Sequence, residues 1–146
     1  MSESADVTAA RIDGAPVDRF LRLRDPLGVV SFGINKMVLA PGERGRIHRH
    51  TAQEEVYLVL AGTLTLVVES EPHDYEVGDL VRVAPQVRRQ LVNRGPQTLE
   101  LLALGGMVDR EHIPRDAEPF HAWEDTEPHP IAEVPVPDDL PASERR

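Results

Sequence analysis

The chain has 146 residues, of which 40% are hydrophobic, and its formal net charge is −9. This length is typical of one domain and is sufficient for a sizeable hydrophobic core. The absence of cysteine excludes disulfides, thiolate chemistry and cysteine-rich zinc sites.

The negative charge is concentrated near the carboxyl end. Residues 107–146 carry 11 acidic and 4 basic side chains, whereas residues 29–106 carry 9 acidic and 8 basic ones. Nucleic-acid binding requires a basic stripe, so we expect no nucleic-acid partner. The longest apolar run, residues 101–108, is too short to span a bilayer, and we expect no membrane segment. The first residues show no secretory signal, and we expect a cytoplasmic protein.

The elements in chain order predict a β protein. Residues 1–16 are polar without any period, and we expect a flexible N-terminal segment. An alternating pattern begins at Phe20, and residues 25–28 read as a turn. No helix is expected before residue 107, and the β-barrel is placed at 17–106. Short β-type runs separated by turn signals favour a sandwich or barrel, and they cover residues 29–40, 46–50, 55–61, 64–69, 79–83, 87–93 and 98–105.

The last segment differs in composition from the rest. Residues 107–146 contain seven of the 13 prolines, which block helices and central strands. The same residues contain Phe120 and Trp123, and disordered tails rarely carry such apolar anchors. We therefore expect an acidic, Pro-rich C-terminal arm over 107–146. Phe120 and Trp123 should dock it on the barrel or on a partner.

The pair His48 and His50 is the strongest functional signal. Two positions apart on a strand place both side chains on one face, and Glu55 from the following strand can join them. Two imidazoles and one carboxylate can hold a divalent metal with open coordination positions. If the strand is regular, Arg46 shares the face of the two histidines. Tyr57 shares the face of Glu55 and is expected in the cavity wall.

The spacing of these residues resembles the first motif of the cupin superfamily. That motif is a Gly, five residues, His-x-His, three or four residues, Glu, six residues and Gly. Gly42, His48, His50, Glu55 and Gly62 fill its positions. The resemblance, which covers about half of the chain, implies an all-β fold: a single cupin-type β-barrel of the jelly-roll kind, with the ligands pointing inward.

The second cupin motif is incomplete. Gly78 and Asn93 match it, but Arg89 stands where the family has its third metal-binding histidine. Since arginine stays protonated, an inward Arg89 would repel a metal and attract Glu55. The site then holds either a Glu55–Arg89 ion pair or a bound anion that faces Arg89 beside a three-ligand metal.

The register of this strand is also open at this stage. A slip of one residue would turn Arg88 or Gln90 inward instead of Arg89.

These observations predict a small-molecule-binding cupin with an anionic, carboxylate-type ligand in the barrel cavity. The expected ligand contacts are Arg46, Tyr57 and Arg89, and the expected metal ligands are His48, His50 and Glu55. The metal, if bound, would be Fe, Mn, Ni or Zn, and no organic cofactor is expected.

Two further functional classes remain open. One is a metal-dependent cupin enzyme, such as a dioxygenase, isomerase or decarboxylase. The other is a sensory or storage module. Resemblance to the family also implies a homodimer, in which we expect the residues before Asp25 to contribute an edge strand.

Overall fold

The computed structural model describes residues 6–108 and 115–146, and these form a β-barrel of two antiparallel five-stranded sheets. Sheet A has the order β1-β2-β9-β4-β7, and sheet B has the order β10-β3-β8-β5-β6. The strands are β1 Phe20–Arg22, β2 Phe32–Leu39, β3 Ile47–His50, β4 Glu54–Ala61, β5 Leu64–Val68, β6 Glu71–Tyr75, β7 Leu80–Val83, β8 Arg89–Val92, β9 Leu99–Gly106 and β10 Ala117–Phe120. One helical turn, α1, spans Arg24–Leu27, and two short 3-10 helices span Ile131–Glu133 and Ala142–Glu144.

The predicted β-type runs correspond to β2–β5 and β7–β9, which confirms the all-β jelly-roll fold. Strand β6 was not predicted, because Pro72 and its neighbours read as a turn. It pairs with β5 alone and lies at the edge of sheet B, where the missing N–H of a proline is tolerated. The turn expected at 25–28 lies within α1 and its C-cap, Gly28.

The residue pairs between β2 and β9 show that the two ends of the barrel interior differ. At one end Leu39 lies opposite Leu99 and Met37 opposite Leu101. These side chains belong to the buried apolar core, together with Val59, Leu64, Leu66 and Leu91. At the other end Asn35 lies opposite Ala103 and Gly33 opposite Gly105, so the same inward positions carry small or polar residues. The barrel is therefore packed at one end and can hold a cavity at the other.

Gly62, the last glycine of the motif, connects β4 to β5. It has φ of +74°, and a Cβ atom at this position would lie 2.5 Å from the carbonyl oxygen of Thr98. Both the left-handed backbone and the close approach of Thr98 require glycine here.

The described part of the C-terminal arm packs on sheet B. Strand β10 pairs with β3, and Phe120 is only 2% exposed, which confirms that the arm docks on the barrel. The guanidinium of Arg88 lies 5.1 Å from the centre of the Phe120 ring and 5.8 Å from that of Trp123. Farther along, the Leu140 N–H donates to the Gly42 carbonyl at 2.7 Å. The arm thus contributes one strand to the sheet and crosses the barrel beyond it.

The N-terminal strand pairs within its own chain. β1 lies next to β2 at the edge of sheet A, and Val17 and Phe20 exchange backbone hydrogen bonds just before it. Residues 1–5 of the expected flexible segment lie outside the described residues. Among the helices in the described ranges, none combines the length and apolar content that a membrane crossing requires.

Candidate metal and ligand site

The three motif side chains converge inside the barrel. His48 and His50 lie on β3 and Glu55 lies on β4 of the opposite sheet. The Nε2 atoms of His48 and His50 are 3.9 and 3.1 Å from Oε1 of Glu55. One potential ligand atom from each residue lies within 4.8 Å of the others, a spacing that one metal ion can bridge.

Both histidines are oriented through their Nδ1 atoms. Nδ1 of His48 lies 3.0 Å from the carbonyl oxygen of Arg46, and Nδ1 of His50 lies 2.6 Å from Oδ1 of Asp116. Both partners are acceptors, so in the neutral rings the hydrogen sits on Nδ1 and Nε2 has a free lone pair. This is the arrangement that metal-binding histidines adopt with carbonyl or carboxylate partners.

Asp116 is a residue of the candidate site that the sequence motifs did not indicate. Its carboxylate accepts hydrogen bonds from the backbone N–H groups of Ala52 and Gln53, both at 2.8 Å, and from the Gln53 side chain at 3.0 Å. Burial raises the pKa of Asp116, but the Ala52 N–H and the His50 ring outweigh it, and the net pKa is lowered. Asp116 is therefore an ionised, firmly held partner for His50.

Arg89 forms the ion pair with Glu55 that the sequence left as one alternative. Its side chain is 0% exposed, and Nη2 donates to Oε1 of Glu55 at 2.6 Å. Nη1 donates to the Val87 carbonyl at 2.8 Å, and the Tyr57 hydroxyl lies 3.4 Å from Nε. Since its donors point to protein acceptors, Arg89 holds Glu55 in place instead of facing an open ligand space.

The register of β8 is therefore the unslipped one. His48 lies opposite Arg89, whereas Arg88 and Gln90 bond to groups outside the barrel. Arg88 donates to Glu69 and to the carbonyls of Trp123 and Asp125, and Gln90 donates to Gly45.

Tyr57 lies beside Glu55 and is only 1% exposed, in the buried core rather than in the cavity lining. Its hydroxyl donates to Oε1 of Glu55 at 2.6 Å. Burial, together with the Glu55 charge, raises the pKa of Tyr57 well above its usual value, so the hydroxyl stays protonated and remains a donor. The polar contacts of Glu55 with the described residues all involve Oε1, which leaves Oε2 available to a ligand or metal.

Electrostatics keep Glu55 ionised. Burial raises its pKa, but the neighbouring imidazoles of His48 and His50 outweigh burial, and the net pKa is well below the usual value. Burial also lowers the pKa of His50, yet the nearby carboxylates of Glu55 and Asp116 leave it raised. The site therefore favours an ionised carboxylate next to the His50 imidazole.

The structure does not bring Arg46 into this group, and the expectation that it faces the cavity is wrong. Its Nε donates to the carbonyl of Val134 in the arm at 2.6 Å. The physical reason is an irregular register. His48 lies opposite Arg89 but Arg44 lies opposite Val92, so this strand contains one extra residue, a β-bulge. The bulge breaks the alternation on which the prediction depended.

A cavity of about 250 Å³ opens next to Glu55. Gln53, Gly105 and Ala103 line its inner part. A Cβ atom at Gly105 would lie 1.7 Å from Oε1 of Gln53, so only glycine leaves room for that side chain. The volume is slightly below the usual range for small-molecule pockets, which indicates a small ligand.

Three arginines also line this cavity, and the sequence did not single them out. Arg22 ends β1, Arg24 begins α1 and Arg115 lies just before β10. They are far from the motif along the chain, and only the tertiary structure brings them to the barrel opening.

Comparison with known proteins agrees with the fold and the motif. Residues 35–105 match the family model described as a cupin domain. The chain belongs to the cupin superfamily.

Three relatives show how far the similarity extends. A solved cupin protein from Bacteroides fragilis superposes on this cupin with a TM-score of 0.62 at 18% identity, covering 74% of this chain and 91% of that one. A solved protein from Acidithiobacillus ferrooxidans, provisionally named a sugar phosphate isomerase, gives a TM-score of 0.56 at 29% identity and covers 63% of this chain and 60% of that one. An uncharacterised protein from Methanocaldococcus jannaschii is 23% identical over 73 residues, which are 50% of this chain and 58% of that relative. The cupin therefore spans less than two thirds of the second and third relatives.

The residues of this cupin fit a divalent metal. His50 Nε2 is buried and, although 3.1 Å from Glu55, forms no hydrogen bond with a described residue, so it is an unsatisfied acceptor. His48 Nε2, His50 Nε2 and Glu55 Oε2 are the atoms that would hold the ion. Because the charge of Arg89 next to Glu55 would oppose a metal ion, we expect this site to bind a metal more weakly than a site with a third histidine.

Proposed function

We propose that this cupin binds a small anionic molecule in its barrel cavity, next to a divalent metal held by His48, His50 and Glu55. The observation that carries the proposal is the orientation of the two histidines. Each engages an acceptor through Nδ1 and turns Nε2 toward Glu55, which lines the cavity. When bound, a divalent metal would polarise an oxygen atom of the ligand.

The charges around the cavity support an anionic ligand. Arg22, Arg24 and Arg115 line the cavity, whereas Asp25 and Glu55 are its acidic residues. Glu55 is already paired with the buried Arg89, so the remaining lining is positive although the chain as a whole is acidic. A cavity with one sign of charge and protein walls concentrates ligands of the opposite sign.

The protein's own residues would orient such a ligand without moving a proton. Tyr57 stays protonated, and Arg89 holds Glu55 ionised and fixed. The low pKa of Glu55 makes it a poor general base at neutral pH, where a catalytic base works best with a pKa near the ambient pH. This favours binding over proton-transfer catalysis by Glu55.

Metal titration tests the proposal. After removal of bound metal with a chelator, calorimetry with Zn²⁺, Mn²⁺, Ni²⁺ and, without oxygen, Fe²⁺ should show one saturable site per chain for at least one metal. His48→Gln should abolish that site, whereas His73→Gln, on the exposed strand β6, should leave it unchanged. Absence of saturable binding, or equal binding by the His48 variant, would overturn the metal-assisted site.

A second candidate is a metal-dependent isomerase that acts on a sugar phosphate. The specific observation is the 29% identity to the protein from Acidithiobacillus ferrooxidans that carries this provisional name. Interconversion of aldose and ketose phosphates, followed by NMR with the metal-loaded protein, tests it. Turnover that is lost in Tyr57→Phe and in His48→Gln would favour the enzyme over the binding protein.

A further inference from the structure

Two separate segments bring three arginines to the cavity opening, which we call the arginine rim. Arg22 and Arg24 come from the β1–α1 segment, and Arg115 comes from the arm immediately before β10. Asp25 is the acidic residue that lines the cavity beside them. Three guanidinium groups and one carboxylate give the rim a net charge of +2.

The rim arginines have few protein partners. The side chains of Arg22 and Arg115 make no hydrogen bond or ion pair with any residue in the described ranges. Nη2 of Arg24 donates to the Val30 carbonyl at 3.3 Å, but its Nε is buried and has no acceptor among the described residues. Buried donors are rarely left unsatisfied, so this atom indicates an acceptor that the protein itself does not supply.

Several other arginines of this cupin are bonded within the protein. Arg46 donates to Val134, Arg88 to Glu69 and Arg89 to Glu55. Outside the rim, the side chain of Arg94 also makes no hydrogen bond or ion pair with a described residue. The rim thus brings two arginines with free donors, and the unsatisfied Nε of Arg24, to one cavity.

We propose that the arginine rim is a phosphate-binding site, and that the ligand of this cupin is a small phosphate monoester. The proposal rests on the proposed function, since it takes the cavity as the ligand site. A phosphate monoester carries about −1.5 to −2 charges at pH 7, which matches the net charge of the rim. Guanidinium groups bind phosphate oxygens through paired N–H donors, which makes arginine well suited to this role.

The C-terminal arm contributes neighbouring residues to both parts of the proposed ligand site. Arg115 lies at the rim, and its neighbour Asp116 contacts Nδ1 of His50 at 2.6 Å, while Nε2 of His50 lies 3.1 Å from Glu55, which lines the same cavity. A phosphate at the rim would leave the remainder of the ligand directed toward Glu55 and the histidines.

Titration with inorganic phosphate tests the rim. Calorimetry at constant ionic strength should show saturable phosphate binding to the wild-type chain, and acetate should not compete. Arg22→Gln, Arg24→Gln and Arg115→Gln should each raise the Kd about tenfold, as expected for the loss of a charge-assisted hydrogen bond. The matched control is Arg82→Gln, which removes the same charge from the outer face of sheet A, where Arg82 pairs with Glu54. Its Kd should stay at the wild-type value.

Any of three results would overturn the proposal that the arginine rim binds phosphate. These results are no phosphate binding by the wild-type chain, wild-type phosphate affinity in all three rim variants, or a loss of phosphate affinity in Arg82→Gln as large as that in the rim variants. Thermal unfolding without phosphate checks that each variant is folded. If Arg24→Gln is not, the exposed Arg22 and Arg115 variants decide the outcome.

Zinc titration of the same proteins reports on the inner site separately. If the wild-type chain binds zinc but not phosphate, only the proposal that the arginine rim binds phosphate is overturned. Loss of both zinc and phosphate binding in the wild-type chain overturns the proposed function as well.

Discussion

Arg89 occupies the place where the cupin motif has its third histidine, and its guanidinium contacts Glu55 at 2.6 Å. The sequence shows this substitution directly and predicts the Glu55–Arg89 ion pair as one of two alternatives. The placement of β3, β4 and β8 decides between them, because it directs the Arg89 donors to Glu55 and to other protein acceptors. At about 4 Å and an effective dielectric constant of about 20, two unit charges interact by about 4 kcal/mol, so Arg89 strongly opposes a dication nearby.

Replacing Arg89 should therefore strengthen metal binding. In Arg89→His the repelling charge is lost and a third imidazole can take its place beside His48 and His50. We expect calorimetry with Zn²⁺ to show a higher affinity than in the wild-type chain. Arg88→His is the control, because Arg88 lies outside the barrel and its replacement should not change the affinity. No gain in Arg89→His would mean that Arg89 does not oppose the metal.

Asp116 illustrates a site residue that the sequence could not reveal. It is 66 residues from His50 along the chain and lies in a segment that composition marks as a Pro-rich arm. Motif spacing and strand alternation relate only residues that are close along the chain, so they cannot predict this contact. By contrast, His48, His50 and Glu55 could be predicted because local alternation and the short connection between β3 and β4 suffice to bring them together.

The lowered pKa of Asp116 predicts a dependence of stability on pH. Its pKa in the folded state is below the usual value of 3.8, so its contribution is fully present above that value and is lost as the pH falls through the folded-state pKa. Asp116→Asn should show a smaller increase in the free energy of unfolding between pH 2.5 and pH 5 than the wild-type chain, as measured by urea unfolding. Asp139→Asn, at an exposed position of the arm, should retain the wild-type slope. Equal slopes in all three proteins would contradict this role.

At the scale of elements, alternation predicted most strands correctly and failed where the ladder is irregular. The bulge before β3 shifts Arg46 out of the cavity, and its one local signal in the sequence is Gly45, since an isolated glycine in a strand pattern is compatible with a bulge. Strand β6 tolerates Pro72 because it lies at a sheet edge, which is a property of the assembled sheet. Strand β10 lies in the arm, and its pairing with β3 likewise depends on long-range contacts.

Phe120 should be a major anchor of the arm. It is 2% exposed on β10, and the guanidinium groups of Arg49 and Arg88 lie about 5 Å from its ring. Phe120→Ala should lower the free energy of unfolding by about 3–5 kcal/mol, the usual cost of removing a buried phenylalanine. Ile131→Ala is a suitable control, since Ile131 is 56% exposed and its loss should change stability by no more than about 0.5 kcal/mol. A small effect at Phe120 would show that the arm adds little to the stability of the fold.

For the whole molecule, the exposed edge of sheet A leads us to expect a homodimer. β1 pairs with β2 on one side only, and its Phe20 remains 38% exposed. An unpaired edge strand is a template for pairing with another chain. Light scattering should therefore give a mass twice the 16.2 kDa of one chain at micromolar concentration. A mass of one chain across that concentration range would contradict the expected assembly.

The division of the barrel into an apolar end and an open end has a consequence for how such a chain can diversify. Met37, Leu39, Leu99 and Leu101 secure the fold at one end, while Gly33 and Asn35, on β2, border the cavity at the other. Substitutions at the open end can change the shape of the cavity without removing contacts from the core. Few of them would therefore be eliminated by selection for a stable fold. Single substitutions at the open end would then change which small molecule the cavity can bind, while the residues that stabilise the fold stay the same.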